Sequence, residues 1–182
     1  MRVISGKYKG RELVSFKADH IRPTTDRVKE SIFNKLQMHI SGARVLDLFS
    51  GTGSLAIEAI SRDALCVTAV EMNKKSVDII NRNLQLLKIS EVEVLTQDVF
   101  KFLKRYAGEP FDLVFCDPPF TEKLAHILFT ELAGSKVYGP ETIIVTESAG
   151  KEQLLDEYLP LTRFDKRDYG DKIVSYYRVN QV

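Results

Sequence analysis

From Arg44 onward, short runs of β-branched and apolar residues alternate with longer segments in which apolar residues recur at helical spacing. This alternation is typical of a parallel sheet covered by helices on both faces, because each parallel strand needs a crossover to reach the next. The pattern predicts strands at 44–48, 65–71, 92–96, 113–116 and 142–147. It predicts helices at 53–61, 74–87, 99–106, 122–133 and 152–159, with Asn73 as the cap of the second.

The two ends of the chain follow other patterns. Two β-rich runs, 161–166 and 173–179, surround Asp168-Tyr169-Gly170-Asp171 and predict an antiparallel hairpin that brings the sheet to seven strands. Near the start, Val3-Ile4 and Leu13-Val14 flank a basic tip and predict a small hairpin. A helix over about 26–38, capped by Thr24 or Thr25, should follow. We expect one domain over 1–182, with 1–43 as an extension of a core at 44–182.

The charges are unevenly distributed along the chain. In total 26 Lys and Arg face 25 Asp and Glu, but the first 44 residues hold ten basic and four acidic side chains. This asymmetry indicates a polyanion partner for the N-terminal segment, with solvated surface lysines as the alternative.

Other features limit the possible location and cofactors. No apolar run approaches the ~18 residues of a membrane helix, and no signal-peptide core is recognisable. Cys66 and Cys116 form no Cys-x-x-Cys pair, and His20, His39 and His126 have no partners at metal-ligand spacing. We therefore expect a cytoplasmic protein with no membrane partner and no metal.

A glycine-rich turn follows the first predicted strand, in the sequence Asp47-Leu48-Phe49-Ser50-Gly51-Thr52-Gly53. Glycines let the backbone bend and approach a ligand, and the amides that open the next helix can meet polar groups. Alone, such a turn is weak evidence for a ligand site, because any tight turn with positive φ also needs glycine. Glu71 lies twenty residues beyond Gly51 at the end of the second strand, where it can accept hydrogen bonds from a ribose diol. The pair indicates a nucleoside site.

Two further acids indicate which nucleoside. Asp47 stands four residues before Gly51, where a carboxylate would repel a pyrophosphate but suits a cationic amine. Asp98 follows the third strand, where it can accept from an adenine amino group or cap the next helix. Successive parallel strands end at one sheet edge, so one ligand that spans the edge and carries a cationic amine, such as S-adenosylmethionine, accounts for Asp47, Glu71 and Asp98.

The most specific motif is Asp117-Pro118-Pro119-Phe120, directly after the fourth strand. Consecutive prolines fix the backbone and remove two donors, which leaves their carbonyls as acceptors. The Asp117 carboxylate and the Pro118 carbonyl can each accept one N–H of a planar amine, and Phe120 can stack on its ring. The alternative is a proline-rich loop that merely caps a strand, which does not predict an acid before the prolines and an aromatic after them.

Together these motifs resemble those of class I S-adenosylmethionine-dependent methyltransferases that modify exocyclic amines. The stretch from Arg22 to Glu30 and the Gly-Lys-x-x-Gly-Arg at 6–11 resemble the bacterial small-subunit ribosomal RNA guanine-N2 methyltransferases. The resemblance covers essentially the whole chain and implies a Rossmann-like α/β fold. It also implies S-adenosylmethionine as cofactor and guanine N2 of 16S ribosomal RNA as acceptor, within the small subunit or an assembly intermediate. Family members often have Tyr where this chain has Phe120.

Motifs and resemblance together give three groups of expected site residues. The target base would meet Asp117, Pro118, Pro119 and Phe120. The cofactor would meet Arg22, Thr24, Asp47, Phe49, Gly51, Thr52, Gly53, Glu71, Met72, Asp98 and Val99. RNA phosphates would meet Lys7, Lys9, Arg11, Lys17, Arg27 and Lys29.

Three other functions remain open on the sequence. A DNA adenine-N6 methyltransferase also uses Asp-Pro-Pro-aromatic but usually has a separate recognition region. A protein glutamine methyltransferase typically has Asn at the place of Asp117. A non-catalytic RNA-binding assembly factor could retain the crevice without the reaction.

Overall fold

A computed structural model describes residues 1–15, 25–119, 124–152 and 154–180. The strands are β1 (Arg44–Leu48), β2 (Cys66–Glu71), β3 (Val92–Thr96), β4 (Phe111–Cys116), β5 (Tyr138–Ala149), β6 (Glu157–Tyr158), β7 (Leu161–Asp168) and β8 (Lys172–Val179). The helices are α1 (Asp26–Lys35), α2 (Gln37–Ile40), α3 (Ser54–Ser61), α4 (Lys74–Leu87), α5 (Val99–Arg105) and α6 (Leu124–Ala133).

The strands form one eight-stranded sheet in the order β3-β2-β1-β4-β5-β8-β7-β6. The five strands from β3 to β5 run parallel, and β8, β7 and β6 add to them in antiparallel fashion. From β1 the chain proceeds outward to β2 and β3, then crosses back to β4 on the other side. The carboxyl ends of β1 and β4 therefore flank a topological switch point, where open α/β sheets bind ligands.

Each face of the sheet is covered by its own apolar cluster. One cluster includes residues of α1 to α4, among them Phe33, Ile57 and Ile80. The other includes residues of α5 and α6, among them Phe102 and Phe129. Within the described residues, no helix has the length and apolarity needed to cross a membrane.

The doubly wound core confirms most of the predicted elements. Strands β1 and β3 and helix α4 have the predicted bounds, and the Asn73 side chain accepts the amides of Lys75 and Ser76 at the start of α4. The C-terminal hairpin is present as β7 and β8. The predicted helix at 26–38 ends early, because the chain turns at Leu36 and begins the short α2.

Two expectations about the C-terminal third are wrong. No helix covers the described part of 152–159, and the sheet has eight strands rather than seven. Residues Glu157 and Tyr158 instead pair with β7 as the extra strand. The Tyr158 hydroxyl hydrogen-bonds with the Leu155 amide and with His126 Nδ1 on α6, so tertiary contacts hold this segment extended.

The N-terminal hairpin is reduced to a single bridge, Arg2 with Glu12, but it is firmly attached to the core. Val3 and Leu13 are buried in the α1–α4 cluster. At the tip, the Lys7 amide donates to the Ser61 carbonyl, the last residue of α3. Gly6 makes this contact possible, because a Cβ there would lie 1.7 Å from the Ser61 carbonyl oxygen.

We expect Gly6→Ala to destabilise the protein more than Gly10→Ala. Both glycines have φ of +80°, so each alanine carries the ~1–2 kcal/mol cost of a left-handed residue, but nothing lies within 4 Å of a Cβ at Gly10. The Gly6 variant must in addition separate the tip from α3. Urea unfolding of both variants measures the difference, and equal losses would contradict the docking described here.

Candidate active site

Four carboxylates lie at the carboxyl edge of the parallel strands. Asp47 is in β1, Glu71 ends β2, Asp98 follows β3, and Asp117 follows β4. The Asp117 amide lies 3.5 Å from the Leu48 carbonyl, which joins the ends of β1 and β4 at the switch point. The structure thus brings together the four acids that the sequence singled out.

Asp47 is the most constrained of these acids, at 1% exposure. Its Oδ2 accepts a hydrogen bond of 2.6 Å from the Ser50 hydroxyl. Its Oδ1 accepts none of normal geometry within the described residues, although the nearby Ala56 amide helps to lower the pKa. Burial outweighs these donors, and with the charge of Glu71 it raises the pKa of Asp47 from 3.8 to about 7. A cation placed at Oδ1 would favour the ionised form.

Glu71 is held by the turn that it faces. Its Oε2 accepts the Gly51 amide at 2.9 Å, and its Oε1 accepts the Asn73 amide at 2.8 Å. Each carboxylate oxygen has two acceptor positions, so both retain capacity for a ribose hydroxyl. Glu71 therefore connects the glycine turn to the end of β2.

The glycine turn has an unusual backbone. Phe49, Gly51 and Gly53 all have positive φ, and Phe49 does so at +60° despite its side chain. Positive φ in a bulky residue is a strained conformation of the kind found at ligand sites. The Phe49 ring packs edge-on against Phe100, with centroids 6.5 Å apart. At Gly53, a Cβ would lie 3.2 Å from Ile80, which explains why a small residue is needed there.

Asp98, which follows β3, has two predicted roles. Asp98 Oδ1 caps α5 by accepting the Lys101 amide at 2.9 Å, so the capping role is real. Its second oxygen has no hydrogen bond to the described residues, which leaves it available to an adenine amine. The Met72 side chain is 64% exposed beside Glu71, whereas Val99 is buried at the start of α5.

The β4 end forms the second half of the site. Asp117 is half-buried, Pro118 is buried and Pro119 is exposed. Phe120, the predicted stacking ring, lies outside the described residues, as do Lys17, Arg22 and Thr24. The Cys116 thiol just before the motif is buried, and its pKa is raised by desolvation and then by Asp47 and Asp117, which disfavours the reactive thiolate.

These donors and acceptors fit the S-adenosylmethionine expected from the sequence. The buried Oδ1 of Asp47 accepts no hydrogen bond of normal geometry from the described residues, so it could accept one from a cationic amine. Glu71 and Asp98 offer acceptors for a ribose diol and an amino group further along the edge. Within the part of the chain that the structure describes, no three His, Cys, Asp or Glu side chains are close enough to hold a metal.

Sequence reasoning missed the residues that support the turn. Asn83 is fully buried on α4, where its amide donates to the Thr52 and Val14 carbonyls and its Oδ1 accepts the Val14 amide. Glu58 is fully buried on α3 and accepts the amides of Ile4 and Ser5. The sequence held a signal, because Asn83 continues the helical spacing of Ile80 and Leu87, and Glu58 interrupts the apolar run 55–60.

The predicted phosphate-binding residues do not form one face. Lys29 is fully buried, where its Nζ donates to the Arg2 carbonyl and Ser54 and lies 3.5 Å from Glu58. A phosphate contact by Lys29 does not fit this burial. Lys7 pairs with Glu91, which precedes β3, so the basic tip lies at the amino edge of the sheet.

The tip is therefore distant from the four acids. Strand β3 has five residues, and at ~3.3 Å per residue the two edges are roughly 15 Å apart. Lys9 and Arg11 are exposed on the same tip as Lys7. Among the described residues that were predicted to bind phosphates, Arg27 is the one that is exposed near the start of α1.

Comparisons with known proteins agree with this geometry. A family model described as conserved hypothetical protein 95 matches residues 1–178. The chain is 39% identical over 158 residues to ribosomal RNA small subunit methyltransferase D of Haemophilus influenzae, covering 85% of this chain and 82% of the relative. It is 36% identical to the protein of that name from Escherichia coli, covering 81% and 74%. The solved structure of the "putative methyltransferase yhhF" of Escherichia coli matches with a TM-score of 0.88 and 32% identity, covering 99% and 98%.

We expect Asp47 to make the ligand-free protein less stable as the pH rises. A carboxyl group whose pKa is higher in the folded than in the unfolded state contributes stability below pH ~4, and this contribution is lost as the pH rises through about 7. Asp47→Asn is neutral throughout. Its free energy of unfolding relative to wild type should therefore rise between about pH 4 and pH 7, by ~1.4 kcal/mol per unit of pKa difference, and should level off above pH 7.

Urea unfolding at several pH values tests this, with the exposed Asp78→Asn as control. The Asp78 variant should follow the wild-type profile. A constant difference between Asp47→Asn and wild type would show that Asp47 is not destabilised by its burial.

Proposed function

Because the chain belongs to the family described as conserved hypothetical protein 95 and has the fold of class I methyltransferases, we propose that it methylates small-subunit ribosomal RNA. The relatives named as ribosomal RNA small subunit methyltransferases support the substrate class. We propose further that the acceptor is the exocyclic N2 of a guanine, with S-adenosylmethionine as the methyl donor.

One observation carries this proposal. The buried carboxylate of Asp47 and the Asp117-Pro118-Pro119 segment lie on either side of the switch point, at the ends of the adjacent strands β1 and β4. A cationic donor held at Asp47 and a planar amine held at Asp117 would therefore be neighbours. Proximity of this kind can supply much of the rate of a displacement whose leaving group is already good.

The residues of the chain have separable tasks in this reaction. S-adenosylmethionine would supply an electrophilic methyl group on a cationic sulfur. Glu71 and Asp98 would fix the nucleoside end along the sheet edge, and Asp47 would pair with the amino group. Asp117 and the Pro118 carbonyl would accept the two N–H groups of the guanine amine and so direct its lone pair toward the methyl group. After the transfer, the Asp117 carboxylate would accept the proton that the methylated nitrogen must lose.

A guanine stacked in a duplex could not reach this position. Enzymes that act on a base require it to be unpaired or turned out of the helix. The proposed substrate is therefore an exposed guanine in the RNA or in a partly assembled small subunit.

Radiolabelled methyl transfer tests the proposal directly. Small subunits from cells lacking the gene should accept label, whereas subunits from wild-type cells should not. Digestion to nucleosides should yield N2-methylguanosine as the labelled product. Label in another nucleoside would overturn the guanine-N2 assignment, and no transfer to any small-subunit particle would overturn the enzymatic function.

We expect substitutions at the two halves of the site to separate transfer from cofactor binding. Asp117→Ala should abolish transfer with affinity for S-adenosylmethionine nearly unchanged, because its carboxylate would meet the acceptor. Glu71→Ala should weaken cofactor binding by ~1.5–3 kcal/mol, the range for hydrogen bonds to a charged group.

Isothermal titration and turnover on small subunits measure the two effects. Asp112→Ala is the matched control for Asp117, because Asp112 is exposed at the opposite end of the same strand. Glu93→Ala is the matched control for Glu71→Ala, because Glu93 is an exposed glutamate on the neighbouring strand β3. Wild-type turnover by Asp117→Ala would show that the amine is held elsewhere.

A further inference from the structure

We propose that the RNA strand docks on the face between α1 and the β7–β8 hairpin, and not on the N-terminal tip. This inference rests on the proposed function and names the surface that delivers its substrate. The surface, called here the basic-aromatic face, comprises Arg27 and Lys35 of α1 with Phe164, Arg167 and Arg178 of the hairpin.

Strand register places the hairpin residues on one side of the sheet. Arg167 is opposite Val174, which belongs to the apolar cluster beneath α1. Arg178 lies two residues beyond Tyr176, another member of that cluster, and so projects to the same side. The Tyr169 and Arg167 side chains both hydrogen-bond to Ser31 of α1, which joins the hairpin to the helix.

An exposed aromatic ring lies among these cations. Phe164 occupies the bulge of β7 between Arg163 and Asp165, and it is 39% exposed. Lys35 Nζ lies 5.7 Å from its ring centroid, and the Arg178 guanidinium carbon lies 5.2 Å away on the same ring. Aromatic rings beside Arg and Lys are how proteins bind single-stranded RNA, through base stacking and phosphate pairing.

Asp165 pairs with two of the cations, but it does not neutralise the whole face. Asp165 pairs with Lys35 at 2.5 Å and with Arg167 at 3.7 Å, and the hydrogen bond from Lys35 lowers the pKa of its carboxyl group. Asp165 and Glu30 lie beside these four cations, and Asp171 lies near Arg27. The face therefore retains a positive balance that matches a phosphate backbone.

Two shallow grooves lie along this face. One is lined by Arg27, Lys35 and Arg167, and the other by Arg27, Tyr169 and Asp171 together with Lys172, which is buried and paired with Glu147. Arg27 is common to both. Lys172 pairs with Ala149 at the carboxyl end of β5, and β5 is the neighbour of β4, which ends at Asp117. An RNA strand that follows the grooves and continues across the end of β5 would thus reach the proposed base site.

The experiment is filter binding and methyl transfer with small subunits that lack the modification. Arg167→Glu combined with Arg178→Glu should weaken particle binding, and the log–log salt slope should fall by about 1.4 for two lost phosphate contacts on a single strand. Phe164→Ala should weaken binding ~5-fold or more through lost stacking, and Phe164→Tyr should restore it.

Lys166→Glu is the matched control. Lys166 is exposed on the same strand but lies opposite Ser175, on the other side of the sheet. It should bind as wild type does, as should Lys9→Glu on the N-terminal tip. Affinity for S-adenosylmethionine, measured by titration, should not change in any variant, which excludes misfolding.

The outcomes separate the two proposals. If the wild-type protein methylates the particle but Arg167→Glu with Arg178→Glu behaves like Lys166→Glu, the docking face is refuted and the function stands. If Lys9→Glu alone reduces binding, the RNA instead meets the N-terminal tip. If the wild-type protein neither binds nor methylates any particle, the proposed function falls and the docking face with it.

Discussion

The parallel register of β1 with β2 and β4 determines what this molecule can bind. Because β1 pairs in parallel with both neighbours, Asp47, Glu71 and Asp117 are brought to one sheet edge, with Asp98 following β3. Like charges this close repel, and burial strengthens the repulsion. The structure reduces that cost with Ser50 at Asp47, backbone amides at Glu71 and the cap at Asp98. Burial still raises the pKa of Asp47 to about 7, so a cation bound at this edge would favour the ionised carboxylate.

The N-terminal segment supports the glycine turn at this edge of the sheet. Lys29 and Glu58 form a buried pair that also binds the backbone of residues 2, 4 and 5, and Lys29 donates to Ser54 at the start of α3. Such a pair adds little stability by itself, but removal of one partner typically costs ~3–5 kcal/mol. Asn83 adds a second connection, from Val14 to the Thr52 carbonyl. The segment is therefore part of the support of the glycine turn, although its composition had indicated an RNA-binding arm.

The sequence sufficed for those features that depend on local pattern. Strand and helix periodicity located the core elements, and the acids at strand ends followed from parallel topology. Three kinds of feature were not predictable, because each depends on tertiary contacts. Residues 157–158 became a strand through pairing with β7, Lys29 was buried by a partner 29 residues away in Glu58, and the basic tip was carried to the amino edge by docking on Ser61. Charge counts alone could not distinguish a buried lysine from an exposed one.

The positions of the basic-aromatic face and of the proposed base site have a consequence for how the RNA must be presented. The basic-aromatic face lies between α1 and the β7–β8 hairpin, whereas Asp117 follows β4 at the sheet edge, so an RNA strand in the proposed complex would have to contact both. A regular duplex keeps its bases stacked inside, so it could not contact this face and also present a guanine amine at Asp117. A single-stranded or looped segment can, because its phosphates follow the cations while one base rotates over the edge. The proposed docking face and base site together favour RNA whose target region is already unpaired, with a neighbouring base stacked on Phe164 while the target occupies the site.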